Sequence, residues 1–238
     1  MRLALIGYGR MGHEIEEAAL KREHDINLII DIDNAGDLNS SNLANVDAVI
    51  EFSFPESAFA NIKTCLENRV PVVSGTTGWL KDYEKAVSLC EQFETSFIHS
   101  SNFSIGVNLL FWLNSELARH MKRYPDYSVS IEEIHHVKKL DAPSGTAIAL
   151  AEGIEAVHPG YDGWCMEEKS TGNNIPVRSL REGTVPGTHT VSWDSPIDTL
   201  SLKHESRNRK GLALGAVIAA EFIRGKKGVF KMKDVLGF

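Results

Sequence analysis

The sequence predicts an α/β chain, a doubly wound parallel sheet followed by a second α+β domain, and three observations carry that prediction. Short, nearly uncharged strands alternate with helix-patterned stretches from Leu3 to His99, the order in which βαβ units cover a parallel sheet on both faces. A glycine-rich turn directly follows the first strand. After Phe103 the alternation gives way to one long helix and then to strands of period two, the pattern of a half-buried sheet.

Taken in order, Leu3 to Ile6 is an apolar run, followed by Gly7-Tyr8-Gly9-Arg10-Met11-Gly12 and a helix from His13 to Lys21. Strand, G-x-G-x-x-G, helix is the Rossmann-like arrangement in which a pyrophosphate rests on the helix N-terminus. Alone the triplet is a weak signal, since glycine turns are common. The next strand, Ile26 to Ile32, strengthens it by ending in Asp31-Ile32-Asp33, about twenty residues after the last glycine, where a carboxylate can accept hydrogen bonds from an adenosine ribose. Asp33, nearer the strand's end, is the expected ribose contact. No Arg follows it among Asn34 to Asp37, so a partner for a 2′-phosphate is missing there, which tilts the expected cofactor toward NADH without excluding NADPH.

Val46 to Phe52, Val70 to Ser74 and Ser96 to His99 continue as strands, with helices from Glu56 to Asn68 and from Leu80 to Phe93. Ligands of such sheets sit off the carboxyl ends of the strands. Phe52-Ser53, Gly75-Thr76-Thr77-Gly78 and Ser100-Ser101-Asn102-Phe103 are thereby placed along one crevice with the glycine loop. Ile105 to Met121 then reads as a long helix, and Val157 to Asn174 as a long loop. Val129 to Ile134, Pro176 to Arg181, Thr188 to Trp193 and Thr199 to His204 alternate as four strands of one mixed sheet with an apolar face. Such a face invites self-association. A final apolar helix runs from Leu212 to Ile223.

At 238 residues and 42% hydrophobic composition, two domains fit the length. A net charge of −7 argues against a nucleic-acid or anionic-membrane partner. Three scattered cysteines suit a reducing, cytoplasmic setting and make neither a disulfide framework nor a zinc site.

The densest chemistry lies between Glu133 and Thr146, which holds His135, His136, Lys138, Lys139 and Asp141, followed by Pro143-Ser144-Gly145-Thr146. Pro143 stands where a first helical residue is expected, and Ser144 and Thr146 can cap the helix that runs from Ala147 to Val157. Unpaired N–H groups at that helix start bind carboxylates. Gly145 presents no Cβ to an approaching ligand. Histidine and lysine beside such an anion hole suit proton delivery to an anionic substrate, and a buried structural histidine pair is the competing reading. No metal is expected, because the adjacent histidines lack helical ligand spacing and an acidic or cysteine companion.

His135-His136-x-x-Lys139-x-Asp141-Ala142-Pro143-Ser144-Gly145-Thr146-Ala147 resembles the signature of the dihydrodipicolinate reductase family. The likeness extends to Gly7 through Gly12, to Gly75-Thr76-Thr77-Gly78, to Ser101-Asn102-Phe103-Ser104 and to the stretch from Gly228 to Leu236. It implies NAD(P)H-dependent reduction of a cyclic unsaturated dicarboxylate to tetrahydrodipicolinate in lysine and diaminopimelate synthesis. The implied domains are a dinucleotide-binding one of residues 1–103 and 206–238, and a substrate-binding one of residues 104–205 through whose sheet a homotetramer forms. His135 and Lys139 are implied as the proton-transferring pair, with His136, Gly145 and Thr146, alongside Ser144, holding the substrate's carboxylates. Gly7, Tyr8, Gly9, Arg10, Met11, Gly12, Asp33, Gly75, Thr76, Thr77, Ser100, Ser101, Asn102 and Phe103 are implied at the cofactor. Lys138 falls on a variable position. Two rival readings stand beside this one: another two-domain reductase, such as an aspartate dehydrogenase, and a nucleotide sensor that keeps the fold without the chemistry. Intact His135, His136 and Lys139 argue against the sensor.

Overall fold

The computed structural model describes residues 1–169 and 172–238. In chain order it forms β1 (Arg2–Ile6), α1 (Arg10–Lys21), β2 (Asp25–Ile30), α2 (Ser40–Leu43), β3 (Ala48–Glu51), α3 (Pro55–Glu67), β4 (Val72–Ser74), α4 (Tyr83–Gln92) and β5 (Ser96–His99). It continues through α5 (Ile105–Met121), β6 (Ser128–His135), α6 (Gly145–Glu155), β7 (Trp164–Met166), β8 (Ile175–Arg181), β9 (Gly187–Asp194) and β10 (Thr199–Ser206). The last elements are α7 (Lys210–Ile223), β11 (Gly228–Phe230) and α8 (Met232–Leu236). These divide into two compact units, Met1–Ile105 with Arg209–Phe238, and Gly106–Asn208.

The first unit is a parallel sheet in the order β11-β5-β4-β3-β1-β2. Alternation along the strands supplies both faces. Leu3, Leu5, Ile50, Val73 and Ile98 meet residues of α1 and α7 on one side. Ala4, Ile6, Val49, Val72 and Phe97 meet α3 and α4 on the other. Each fully buried aliphatic side chain contributes roughly 1.5–3 kcal/mol, so the two layers together outweigh any single loop contact. Helix α7 approaches closely because it presents alanines, and because a Cβ on Gly215 would lie 1.8 Å from the Phe103 carbonyl oxygen. The sheet order reverses between β1 and β3, and a ligand crevice is expected at such a switch point.

The second unit is a mixed sheet in the order β10-β9-β6-β8-β7. β6 pairs antiparallel with β9 and parallel with β8. Residues Val129, Ile131, Val177, Val191 and Trp193 of the sheet pack with Leu110 and Ala118 of α5 and with Leu150, Ala151 and Ile154 of α6. The sheet therefore has five strands, not the four expected from sequence. The extra strand, β7, falls inside the 157–174 stretch read as a loop and pairs with β8 through only three residues, too few to display a period. Positions 170 and 171 of that stretch lie outside the described residues. β11 is equally short and equally unannounced, and it completes the first sheet by pairing with β5.

Candidate active site

In the first unit a crevice of about 410 Å³ opens at the switch point, lined by Ile6, Gly7, Ile30, Asp31, Ile32, Ser53 and Phe54 among others. Its residues fit a dinucleotide. Gly7 has φ +86° and leaves no room for a Cβ, which would sit 2.2 Å from the Phe52 carbonyl oxygen. A Cβ on Gly12 would come within 2.6 Å of the Gly7 oxygen, whereas at Gly9 it would meet nothing. The first and third glycines thus serve the turn and the packing, and the middle one leaves the backbone open to a ligand. Gly9 caps α1 without a side-chain hydrogen bond, so the N–H groups of that helix start face outward for an anion. The side chains between the glycines have other duties: the Tyr8 hydroxyl donates to Glu16, and Met11 packs on the core.

The structure places Asp31, rather than Asp33, on the crevice wall. β2 stops at Ile30, and Ile32–Asp37 wind into a 3₁₀ turn capped by Asp31, so the two aspartates do not share one strand face. Asp33 is an exposed residue of that turn.

The Gly75-Thr76 loop is fixed from beneath by Glu51, a residue given no role from sequence. Glu51 is fully buried at the end of β3. One carboxylate oxygen accepts the Ser53 N–H at 2.9 Å, the Ser53 hydroxyl at 2.5 Å and the Thr76 hydroxyl at 2.7 Å; the other accepts the Ser74 hydroxyl at 2.6 Å. The Thr76 carbonyl accepts from Trp79 Nε1 and His99 Nε2. Thr76 therefore spends its hydroxyl and carbonyl internally, while Thr77 stands exposed. Above the loop lies the Phe52 ring, so close that a Cβ on Gly75 would come 2.1 Å from it. Ser100 and Asn102 bond one another through side chain and backbone, Ser101 is exposed, and Phe103 is buried in the core.

In the second unit β6 ends at His135, and α6 begins after a turn that contains a cis Ala142-Pro143 bond. Pro143 lies outside the helix, contrary to the expectation: Ser144 is the cap, its Oγ accepting the Ala147 N–H at 3.2 Å, and Gly145 is the first helical residue. The N–H groups of Gly145 and Thr146 are by position unpaired within the helix, and nothing stands within 4 Å of where a Gly145 Cβ would be.

His135 is buried and His136 half-buried, as neighbours at the end of a strand should differ. His135 Nδ1 donates to the Pro186 carbonyl at 3.1 Å, and Nε2 faces His189 Nε2 at 3.3 Å and Glu133 Oε2 at 3.4 Å. Room for the ring comes from Gly187, whose Cβ would lie 2.8 Å from it. The Ser144 N–H donates to Glu133 Oε2 at 3.1 Å, and Arg181 Nη2 donates to Glu133 Oε1 at 3.1 Å. Lys139 binds both carboxylate oxygens of Asp141, at 2.9 and 2.8 Å. His136 Nδ1 is buried without a partner.

Sequence reasoning missed Glu133, Arg181 and His189 as members of this cluster. Arg181 and His189 sit on strands whose alternation looks ordinary, and only sheet register brings His189 opposite Glu133. Ligand atoms of Glu133, His135 and His189 lie within 4.8 Å of one another, a spacing a cation can use; it is equally that of a hydrogen-bonded network with Arg181 as counter-ion.

Burial alone would raise the Glu133 carboxyl, but hydrogen bonds from His135, Ser144 and Arg181 hold it well below the ordinary range. Burial, aided by the neighbouring His135, pushes His189 down to about 4. The unfolded chain takes up a proton near the ordinary value of 6.5 that the folded ring refuses until about 4. Stability present above pH 6.5 is therefore lost as pH falls toward 4, by roughly 3 kcal/mol. Burial lowers His99, His158 and His204 in the same sense, while the loss from Glu133 sets in only below the ordinary carboxylate value of 4.5. Urea midpoints at about pH 7.5 and about pH 5 should differ measurably, and His189→Asn should flatten that difference. An unchanged slope in the variant would show that His189 titrates normally.

Residues 1–103 match the family described as dihydrodipicolinate reductase, N-terminus, and residues 106–236 the one described as dihydrodipicolinate reductase, C-terminus. A curated 4-hydroxy-tetrahydrodipicolinate reductase of Christiangramia forsetii is 49% identical, covering 99% of this chain and 98% of the relative. Another, from Alkaliphilus metalliredigens, is 33% identical, covering 100% of this chain and 99% of that one. Among solved structures, a dipicolinate-bound dihydrodipicolinate reductase from Paenisporosarcina sp. TG-14 superposes with a TM-score of 0.82 at 27% identity, over 97% of each chain.

Proposed function

The chain belongs to the dihydrodipicolinate reductase family, and from that premise we propose how its residues divide the work. It reduces 4-hydroxy-tetrahydrodipicolinate, a cyclic dicarboxylate, to tetrahydrodipicolinate in lysine and diaminopimelate biosynthesis, with a nicotinamide cofactor. The observation that carries the assignment of roles is the open α6 N-terminus beside Lys139 and His135.

Reduced nicotinamide, when bound, supplies the hydride. The α1 N-terminus and the Gly7 to Gly12 turn hold the pyrophosphate, and the Gly75-Thr76-Thr77 and Ser100 to Phe103 loops border the nicotinamide end. In the second unit the N–H groups of Gly145 and Thr146, with Ser144 as cap, hold one substrate carboxylate, and the half-buried His136 ring borders it. Lys139 donates the proton, since its side chain is 21% exposed while that of His135 is 11% exposed and turned toward Glu133 and His189. His135 is the proton reserve behind it, with Glu133 as counter-charge when the ring is protonated. The fluorescence or calorimetric probe for this site is dipicolinate, the ligand of the Paenisporosarcina relative.

At the adenosine end the reading passes from Asp33 to Asp31, which lines the crevice and directly follows β2. The next side chain is Ile32, 72% exposed and uncharged. A 2′-phosphate there would meet a carboxylate and no base, which supports NADH over NADPH. Assayed by loss of nicotinamide absorbance with freshly made substrate, kcat/KM should favour NADH. Asp31→Asn should raise KM for NADH about tenfold, the worth of hydrogen bonds to a charged group, and Asp33→Asn should leave it within about twofold. The opposite ranking returns the ribose to Asp33; no turnover with either cofactor removes the substrate assignment itself.

A cytoplasmic setting and a homotetramer belong to the same proposal. No helix among the described residues is long and apolar enough to cross a membrane. Opposite α5 and α6, the second-unit sheet leaves Ser128 and Ser130 of β6 exposed, while on the helix-covered face Leu200 of the edge strand β10, paired with Trp193, is 46% exposed. Light scattering should give four times 26.3 kDa; a monomer mass at micromolar concentration sinks the tetramer.

A further inference from the structure

The turn from Lys139 to Ser144 carries the proton donor at one end and the carboxylate-binding helix start at the other, and both ends lead back to one buried carboxylate. Glu133 has no exposed surface. Its Oε2 accepts the Ser144 N–H at 3.1 Å, so it grips the residue that caps α6. Its Oε1 accepts from Arg181 Nη2 at 3.1 Å, and the same nitrogen donates to the Asp141 carbonyl at 2.6 Å. Arg181 Nη1 is in turn anchored on the Leu180 carbonyl at 2.7 Å. Asp141 then closes the chain, holding Lys139 through its carboxylate.

Both anchors sit on paired strands, where position is rigid. Glu133 lies two residues before the end of β6, in a stretch paired on both sides by β8 and β9, and Arg181 ends β8 directly opposite His135. The turn itself has no regular structure between His136 and Ser144, so its geometry is set by what it is tied to. A guanidinium bridging a carboxylate and a main-chain carbonyl is a directional, charge-assisted tie. Removing it leaves Glu133 buried with fewer donors and leaves the Asp141 carbonyl free to swing.

We propose that Glu133 and Arg181 are positioning residues that fix the separation between Lys139 and the α6 N-terminus, and thereby the site's fit to a ring bearing carboxylates. The inference rests on the roles assigned above to Lys139, Gly145 and Thr146. Neither residue reaches the reacting atoms; each acts through the turn.

The test uses the full-length protein with Arg181→Met, Arg181→Lys and Glu133→Gln, with dipicolinate as binding probe. Arg181→Met should raise substrate KM and the dipicolinate Kd about tenfold or more while kcat falls less, with NADH affinity within about twofold. Arg181→Lys should recover most of that loss, because the two contacts to the turn and Glu133 are made by a single nitrogen that an ammonium can imitate. A merely structural arginine would lower the melting temperature and leave KM of the folded enzyme unchanged, and that outcome overturns the proposal. So does a stoichiometric transition-metal ion in the purified protein that Glu133→Gln abolishes, since Glu133 would then serve a cation. Glu133→Gln can fail to fold, but the two arginine variants decide the matter alone. Absence of substrate turnover and of dipicolinate binding in the unaltered protein defeats the underlying assignment instead, and is distinguishable because it precedes any substitution.

Discussion

Lys139→Met is expected to lower kcat/KM for the substrate by about three orders of magnitude, roughly 4 kcal/mol of transition-state stabilisation. Two losses combine. The ammonium is the proposed proton source, and general-acid contributions of a placed side chain run to about 10²–10⁴. It also offsets the negative charge that a dicarboxylate brings. With Lys139 gone, Asp141, whose carboxyl the lysine holds below its ordinary value, becomes an uncompensated anion beside the site. Both kcat and substrate affinity should therefore suffer, and steady-state kinetics with dipicolinate competition separates them. Dipicolinate affinity that survives the substitution would place the carboxylate-binding role elsewhere, and turnover that survives it would make His135 the donor.

His135→Gln should lower kcat about a hundredfold with NADH affinity changed by less than about twofold. Glutamine can still donate to the Pro186 carbonyl, and the backbone pairing of the β6 terminus does not depend on the side chain. What it cannot do is carry and release a proton opposite Glu133 and His189. The dinucleotide crevice belongs to the other unit, which is why cofactor binding serves as the internal control. Rapid-mixing measurement of the chemical step would reveal the loss even where product release limits turnover. Near-normal turnover would take His135 out of proton transfer and leave it as a ligand of the buried cluster.

Much of the fold is legible in the sequence, and the physical reason is periodicity. Strands such as Ser96–His99 and helices such as Ile105–Met121 carry enough residues for a repeat to declare itself, and both stand where the pattern put them. β7 and β11 have three residues each, which is less than two periods, and exist because a neighbouring strand offers an open edge. At the site, His135, His136 and Lys139 were visible because they are contiguous. Glu133 lay in the same stretch yet read as the polar half of an alternating strand; only the structure shows it at zero exposure among Ser144, Arg181 and two imidazoles. His189 was invisible for a different reason, since its partner is 54 residues away and the pairing depends on register. Which aspartate lines the crevice turned on where β2 ends, and strand ends shift by a residue or two in any pattern reading.

The buried Glu51 knot has a consequence for how the cofactor site can change. Because one carboxylate gathers Ser53, Ser74 and Thr76, the segments that follow β3 and β4 are soldered into a single piece, intolerant of piecemeal substitution. The turn from Ile32 to Asp37 shares none of those bonds; it is held by Asp31 and Asn34 at its start and by the Asn39 and Asn42 side chains, which donate to the Gly36 and Asp37 carbonyls, at its end. On the proposed assignment of this turn to the adenosine, coenzyme choice can therefore drift, or be engineered, by rewriting its five exposed positions while the Glu51 knot stays untouched.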